Sequence, residues 1–333
     1  MYELLGICLV LTALLAVNSL ASLFFTAIWR LGKNRLTNLS AHTRAEILFA
    51  LRALPPALAL ICAGILIVPA YVTHEPRVTH EIVSTKLATL ALLSATALVF
   101  ALWRACRSWL ATRSLLRGWS RLSQRIDLQD LTIPTFRIDH SFPIIAVVGS
   151  IKPRLFIASK VLDALTKDEL AAAIAHERGH LFARDNLKRL SLRACRDLLM
   201  LVPLGRSLDR AWAEAAEAAA DEHAARENPD RALNLASALI KIAKMVPARE
   251  RAEVPLGAYL IGAEETQGVK ARIRRLLDIA SDGIDQRDNR WLIRILQAIS
   301  LSTFAVFAIT AACDPRVLIR VHEVIEHTVA LLC

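Results

Sequence analysis

The stretch Ala173 to Asp185, AIAHERGHLFARD, sets His176 and His180 four residues apart with Glu177 directly after the first. On an α-helix these two histidines lie about 40° apart around the axis and one turn apart along it, so both imidazoles can reach one ion. Glu177 sits about 60° round from His180 on the same geometry. That is near such an ion without being forced to bind it, which is where a carboxylate can take a proton from an attacking water. Gly179 has no side chain, so another element can approach this helix closely.

A catalytic zinc site takes three protein ligands and keeps a position open. The best source of the third is Glu217-Ala-Ala-Ala-Asp221, where Glu217 and Asp221 stand one helical turn apart and the alanines allow close packing. Glu217 is the expected third ligand to one zinc ion, with Glu214 as the competing candidate on a neighbouring part of the face. Asp221 would accept a hydrogen bond from the far ring nitrogen of a ligand histidine and fix its tautomer. His223 has two readings: a donor to the transition state if it faces the cleft, or a surface residue; Tyr259 is another candidate donor to the oxyanion. His74-Glu75, His80-Glu81 and the tail from His322 to His327 read as solvated groups.

Positioning elements can be read around these residues. Thr166-Lys-Asp-Glu169 is a capping box, so a helix should start at Lys167 and run through His180 to about Ala183. Pro143 to Val148 and Leu155 to Ala158 are β-favouring runs split by the turn-like Gly149-Ser-Ile-Lys-Pro153, which predicts a hairpin. Its edge, from Ile144 to Val148 with Ile144, Ala146 and Val148 as the contacts, or from Leu155 to Ala158, could hold an extended substrate by strand addition. A further helix is expected from about Ser207 to Arg226.

The 333-residue chain is 55 % hydrophobic, with positive mean hydropathy. Uncharged runs near bilayer length occur at about 4–29, 53–73 and 87–103, and within 291–313. The leader Met-Tyr-Glu has no basic residue, so the first run reads as a retained anchor. Arg30, Lys33, Arg35 and Arg44 follow the first run, and six arginines between Arg104 and Arg125 follow the third. The positive-inside rule then puts the N-terminus outside and the central segment in the cytoplasm. The expected organisation is three spans in 1–103, a basic amphipathic connector at 104–126 lying along the headgroups, a cytoplasmic domain at 127–290, a fourth span at 291–313 and a short external tail at 314–333. The net charge of +10 is accounted for largely by juxtamembrane arginine facing anionic lipid. No recognised nucleic-acid motif accompanies it, which argues against direct nucleic-acid binding. The six cysteines are scattered, and they form neither a disulfide framework nor a cysteine zinc site.

These residues resemble the gluzincin-type membrane metallopeptidases, above all the BlaR/MecR-type antirepressor peptidases, with the HtpX and CAAX-prenyl-protease group as neighbours. The matching parts are Lys152-Pro153 with Leu155-Phe-Ile157, the segment Leu165 to Asp185, the Glu217 to Asp221 helix, and Val269 to Leu277. The resemblance implies a mainly α membrane protein carrying a zincin-like α+β peptidase domain. It also implies zinc at His176, His180 and Glu217, Glu177 as general base, and Asp221 behind the ligands. Cleavage of a protein substrate such as a transcriptional repressor follows from the same likeness, and quality-control turnover of damaged membrane proteins fits a cytoplasmic site as well. Only Asp314 to Cys333 follows the last run, too little for the sensor domain that such receptors carry. Two rival readings stand beside the enzyme: a membrane signalling scaffold with a structural zinc, and a basic protein that recruits DNA or a repressor.

Overall fold

The computed structural model describes residues 2–77, 83–127, 133–197, 205–226, 228, 230–246, 266–283, 295, 299, 302–304, 306–307, 309–311 and 313–332. Three long helices form one end of the molecule: α1 (Tyr2–Leu36), α2 (Ala41–His74) and α3 (Thr85–Leu122), each long and apolar enough to cross a membrane. Their exposure is inverted relative to a protein bathed in water. Leu20, Phe24, Leu92, Val99 and Leu102 are well exposed, whereas Asn18, Ser22 and Thr26 of α1 are buried. Apolar faces turned outward and small polar residues turned toward neighbouring helices suit hydrocarbon as the surrounding solvent. Within α2, Pro55 and Pro56 give no backbone N–H, and Cys62–Ile67 widens into a π-helical turn in which Val68 N–H reaches back to Ala63.

The basic segment expected as a separate connector at 104–126 behaves differently. Residues 104–122 continue α3 without a break, and Ser123 begins a strand. Nothing between Trp103 and Leu122 terminates a helix, so the third apolar run and its arginines form one rod. The fourth apolar run, 291–313, falls largely outside the described residues. Helix at 302–304, 306–307 and 309–311 belongs to it. The tail that follows forms a helix rather than an irregular end, named α10 below.

Beyond α3 lies a four-stranded sheet of β1 (Ser123–Ile126), β2 (Thr135–Ile138), β3 (Ile145–Val148) and β4 (Arg154–Ala158), in the order β1-β2-β4-β3. The expected hairpin is β3 with β4, antiparallel, with Ala146 opposite Phe156, while β2 runs parallel to β4. Gly149 takes φ +108° to make its turn, and a Cβ there would lie 2.9 Å from the Lys152 carbonyl. Every residue of β3 is buried, as are Leu155 to Ala158 of β4, and the core continues through Trp119, which meets the Phe156 ring edge-on at 5.2 Å.

Helices then follow in series: α4 (Ser159–Ala164), α5 (Lys167–Ala183), α6 (Asp185–Asp197), α7 (Gly205–Ala225), α8 (Asp230–Met245), α9 (Thr266–Asp282) and α10 (Pro315–Leu332). The capping box forms as read: Glu169 N–H donates to Thr166 Oγ1 at 3.2 Å, and Thr166 N–H donates to Glu169 Oε2 at 2.8 Å. Glu169 also accepts from Ser237 and Lys241 of α8, at 2.6 and 2.7 Å, which ties the start of α5 to its neighbour.

Helices α6 and α7 are bolted to the beginning of α2. Arg52 Nε lies 3.1 Å from Asp209, Lys188 pairs with Glu46, and Ala41 N–H meets the Glu222 carboxylate at 3.3 Å. Leu48, Leu192, Leu208 and Trp212 pack between these groups. The soluble elements therefore sit on the same side of the long helices as Lys33, Arg35 and Arg44.

Candidate metal centre

Arg184 ends α5 in the left-handed region, φ 55°, and sends its N–H back to the carbonyls of His180 and Leu181. That turn places Asp185, first residue of α6, beneath the last turn of α5. Its Oδ2 lies 2.7 Å from His180 Nδ1. One turn earlier, His176 is wholly buried, and its Nδ1 lies 2.9 Å from Asp221 Oδ1 of α7. With each Nδ1 held by a carboxylate, each Nε2 is directed inward, toward Glu217.

Glu217 receives them symmetrically: His176 Nε2 is 3.6 Å from Oε2 and His180 Nε2 is 3.6 Å from Oε1. One ligand atom from each of the three residues can be chosen so that all lie within 4.8 Å of one another. Ligands about 2.0–2.2 Å from a tetrahedral ion stand roughly 3.3 Å apart, so each 3.6 Å histidine–glutamate separation is within a few tenths of an ångström of that value. Glu217 Oε2 is buried and has Arg272 Nη1 3.2 Å away as well as the His176 ring. Two imidazoles and a carboxylate converging in this way are a donor set that suits a zinc ion. Of the two carboxylates considered from the sequence, Glu217 meets the histidines, while Glu214 is exposed.

The close approach depends on Gly179. A Cβ there would fall 2.9 Å from Ala220 Cα and 3.2 Å from the Cβ atoms of Ala220 and His223, so α5 and α7 touch backbone to backbone. Ala215, Ala216, Ala218 and Ala220 are all buried along α7.

Electrostatics favour charge in the cluster. Burial lowers the pKa of His180, but Glu217 and Asp185 outweigh it and push the value up to about 10. Burial raises that of Glu217, yet His180 and Arg272 hold it well below the usual carboxylate range. Asp221 is likewise depressed: burial opposes its charge, and Arg272 overrides the burial. Arg272, from α9, lies 2.7 Å from Asp221 Oδ1 through Nη2 and 3.2 Å from Glu217 Oε2 through Nη1. Arg189, from α6, donates to Glu217 Oε1 at 3.1 Å.

Glu177 is buried next to His176, and its Oε2 accepts the backbone N–H of Val147 at 3.0 Å. That N–H belongs to β3, the outer strand of the sheet. Ala158 N–H donates to Ile144 C=O, so the antiparallel alternation turns the backbones of Ile144, Ala146 and Val148 toward β4 and those of Ile145 and Val147 outward. The outward backbone groups of this edge strand thus belong to Ile145 and Val147 and not to the expected Ile144, Ala146 and Val148. Asn186 Nδ2 occupies the other outward group of Val147, donating to its carbonyl at 2.9 Å and to that of Gly149 at 3.2 Å.

His223 lies about 120° round α7 from Glu217. Its ring stacks on Phe182 at 6.0 Å, beside a small cleft that also touches His42, Gly179 and Glu222. Asp185, Arg189, Asn186 and Arg272 were given no role from the sequence. Asp185 alone left a local signal, a carboxylate five residues after His180 where the helix must end. The arginines come from other helices, with no spacing to mark them. Tyr259, considered as an oxyanion donor, lies outside the described residues.

Residues 117–252 match the model of peptidase family M48, whose members are zinc-dependent metallopeptidases. The match covers less than half of the chain. It takes in the end of α3, the sheet and α4 to α8, and so includes His176, Glu177, His180, Glu217 and Asp221. Arg272 lies beyond it. No curated protein matches the chain. The segment is thus similar to a metallopeptidase domain, carried on a chain with three helices of membrane-spanning length.

Proposed function

We propose that the chain is a membrane-bound zinc endopeptidase of the HExxH type, with its cleft opening at the cytoplasmic surface. The carrying observation is the convergence of His176, His180 and Glu217, each imidazole backed by its own aspartate. His176, His180 and Glu217 would hold one zinc ion, which when bound supplies Lewis-acid polarisation of a peptide carbonyl and acidifies water near pH 7.

The protein's own groups do the rest. Glu177 takes the proton of the attacking water on its carboxylate and returns it to the leaving nitrogen. Val147 N–H fixes that carboxylate against the sheet. Arg272 and Arg189 keep Glu217 anionic and oriented, and Arg272 does the same for Asp221. An extended substrate pairs with the outward backbone of β3 at Ile145. At Val147 it competes with Glu177 and Asn186, so binding and positioning of the base are linked through one residue.

The orientation rests on charge: Lys33, Arg35, Arg44 and the arginines of α3 gather at the end of the long helices that carries the peptidase elements. Substrates are then proteins at the cytoplasmic face or in the membrane, and repressor cleavage is the regulatory role that the sequence resemblance supplies. The discriminating experiment is Glu177→Gln in purified full-length protein, with an unfolded protein substrate. Zinc content should match the wild type while cleavage falls at least about a hundredfold, the scale of a lost general base. A scaffold reading requires the unsubstituted protein to show no cleavage; unchanged cleavage in the variant removes Glu177 from the chemistry.

A further inference from the structure

At the far end of α2 from the peptidase elements, α10 folds back over the ends of α1, α2 and α3. Leu318, Ile325 and Val329 pack with Leu5, Tyr71, Leu87 and Ala91. These three residues follow the i, i+7, i+11 spacing of one buried helical stripe, and His322 stands in the same stripe at i+4. A polar ring among apolar side chains needs a partner. His322 Nδ1 is buried yet makes no hydrogen bond among the described residues.

Two carboxylates face it. Glu75, the C-terminal cap residue of α2, is 7 % exposed, and its Oε2 lies 3.9 Å from His322 Nδ1. Glu326, one turn along α10, places Oε1 3.9 Å from Nε2. One ligand atom from each of His322, Glu75 and Glu326 can be chosen with all three within 4.8 Å, the same criterion that the His176 cluster meets. His74 stacks on the His322 ring at 5.8 Å and limits its rotation. From sequence alone these residues read as solvated. The fold instead buries Glu75 and brings the tail onto it.

We infer that Glu75, His322 and Glu326 form a second divalent-cation site, taking a zinc- or manganese-type ion at the opposite end of the long helices. One imidazole and two carboxylates supply the nitrogen and oxygen donors that such an ion takes. The 3.9 Å pairs are too long for hydrogen bonds. Glu75 faces Nδ1 and Glu326 faces Nε2, and one ion takes only one ring nitrogen, so one carboxylate has to close a gap of up to 4.8 Å to reach it. Glu326, whose side chain is 46 % exposed, has the rotamer freedom to close that gap. The ion fastens α10 to the end of α2, about 50 Å along that helix from its junction with α7. The site does not depend on the peptidase reading.

Full-length protein in detergent, stripped with a chelator and titrated with Zn²⁺ or Mn²⁺, tests the site by metal analysis. In a His176→Ala background the protein should retain one ion. Adding Glu326→Gln should weaken that ion's binding by about tenfold or more, and adding His322→Ala should abolish it. Glu326→Gln changes an exposed side chain, so it keeps the test valid if His322→Ala loosens α10. A His176→Ala protein that binds no ion, or one indifferent to both outer substitutions, overturns the inference. Wild type holding a single ion that is lost with Glu326→Gln but kept with His176→Ala supports the outer site and refutes the inner one.

Discussion

Adding one methyl group at Gly179 should separate the metal ligands without touching any of them. The added Cβ would lie 2.9 Å from Ala220 Cα, a backbone atom that cannot rotate away. Carbon atoms rest at about 3.5–4.0 Å, so α7 must retreat by roughly 0.6–1 Å. Ala220 is three residues beyond Glu217 on the same helix, so the carboxylate moves with it. The 3.6 Å separations from His176 and His180 would then open beyond about 4 Å, more than the roughly 0.5 Å tolerance of a built site. Overpacking costs about 1–3 kcal/mol, against which alanine's better helix propensity returns about 1 kcal/mol. Gly179→Ala should therefore lose at least tenfold in zinc affinity, measured by competition with a chelating dye, and unfold at a lower temperature in detergent. Gly268→Ala on α9 is the control: nothing lies within 4 Å of its Cβ, so the same exchange should leave zinc affinity unchanged and stabilise slightly. A Gly179→Ala protein that binds zinc like the wild type and melts no lower would refute the argument that helix contact sets the ligand geometry.

Other consequences can be checked separately. Asp185→Asn keeps its shape but weakens the acceptor for His180 Nδ1, so zinc affinity should fall about ten- to a hundredfold, read by the same competition. Burial alone would raise the pKa of Glu169, but hydrogen bonds from Lys241, Ser237 and Thr166 hold it at about 2. Because that folded value lies below the unfolded one, its contribution of up to about 3 kcal/mol is present above pH ~4.5 and lost as pH falls toward 2. Lys241→Met should flatten that acid limb in denaturant titrations, and an unchanged limb would count against the bridge. Asn186→Ala frees the Val147 carbonyl for the substrate and should lower KM more than it changes kcat, whereas an equal fall in kcat and kcat/KM would place Asn186 in the chemistry.

Local chemistry made some of the fold legible in the sequence. The capping box fixed the start of α5 because both of its bonds lie within four residues, and helical period then put His176 and His180 on one face. Gly179 marked the close approach and Gly149 the hairpin turn, each through the absence of a side chain. Longer-range features left no such mark. Strands β1 and β2 are four residues each and gain their place by pairing, β2 with β4 and β1 with β2, which no local pattern announces. The continuity of α3 through its arginines was obscured by the change from apolar to basic composition, which alters the surroundings of a helix without ending it. Arg272 reaches the site from 51 residues beyond Asp221, and Glu75 meets His322 only because α10 folds back. Such meetings are set by packing of whole helices, so each half looks like an ordinary exposed charge when read alone.

The most direct test is anomalous diffraction at the zinc edge from crystals of the full-length protein grown with zinc. The account predicts a peak about 2.0–2.2 Å from His176 Nε2, His180 Nε2 and a Glu217 oxygen, with Asp221 and Asp185 still bonded to the two Nδ1 atoms. Zinc bound without Glu217, or through either Nδ1, would contradict it.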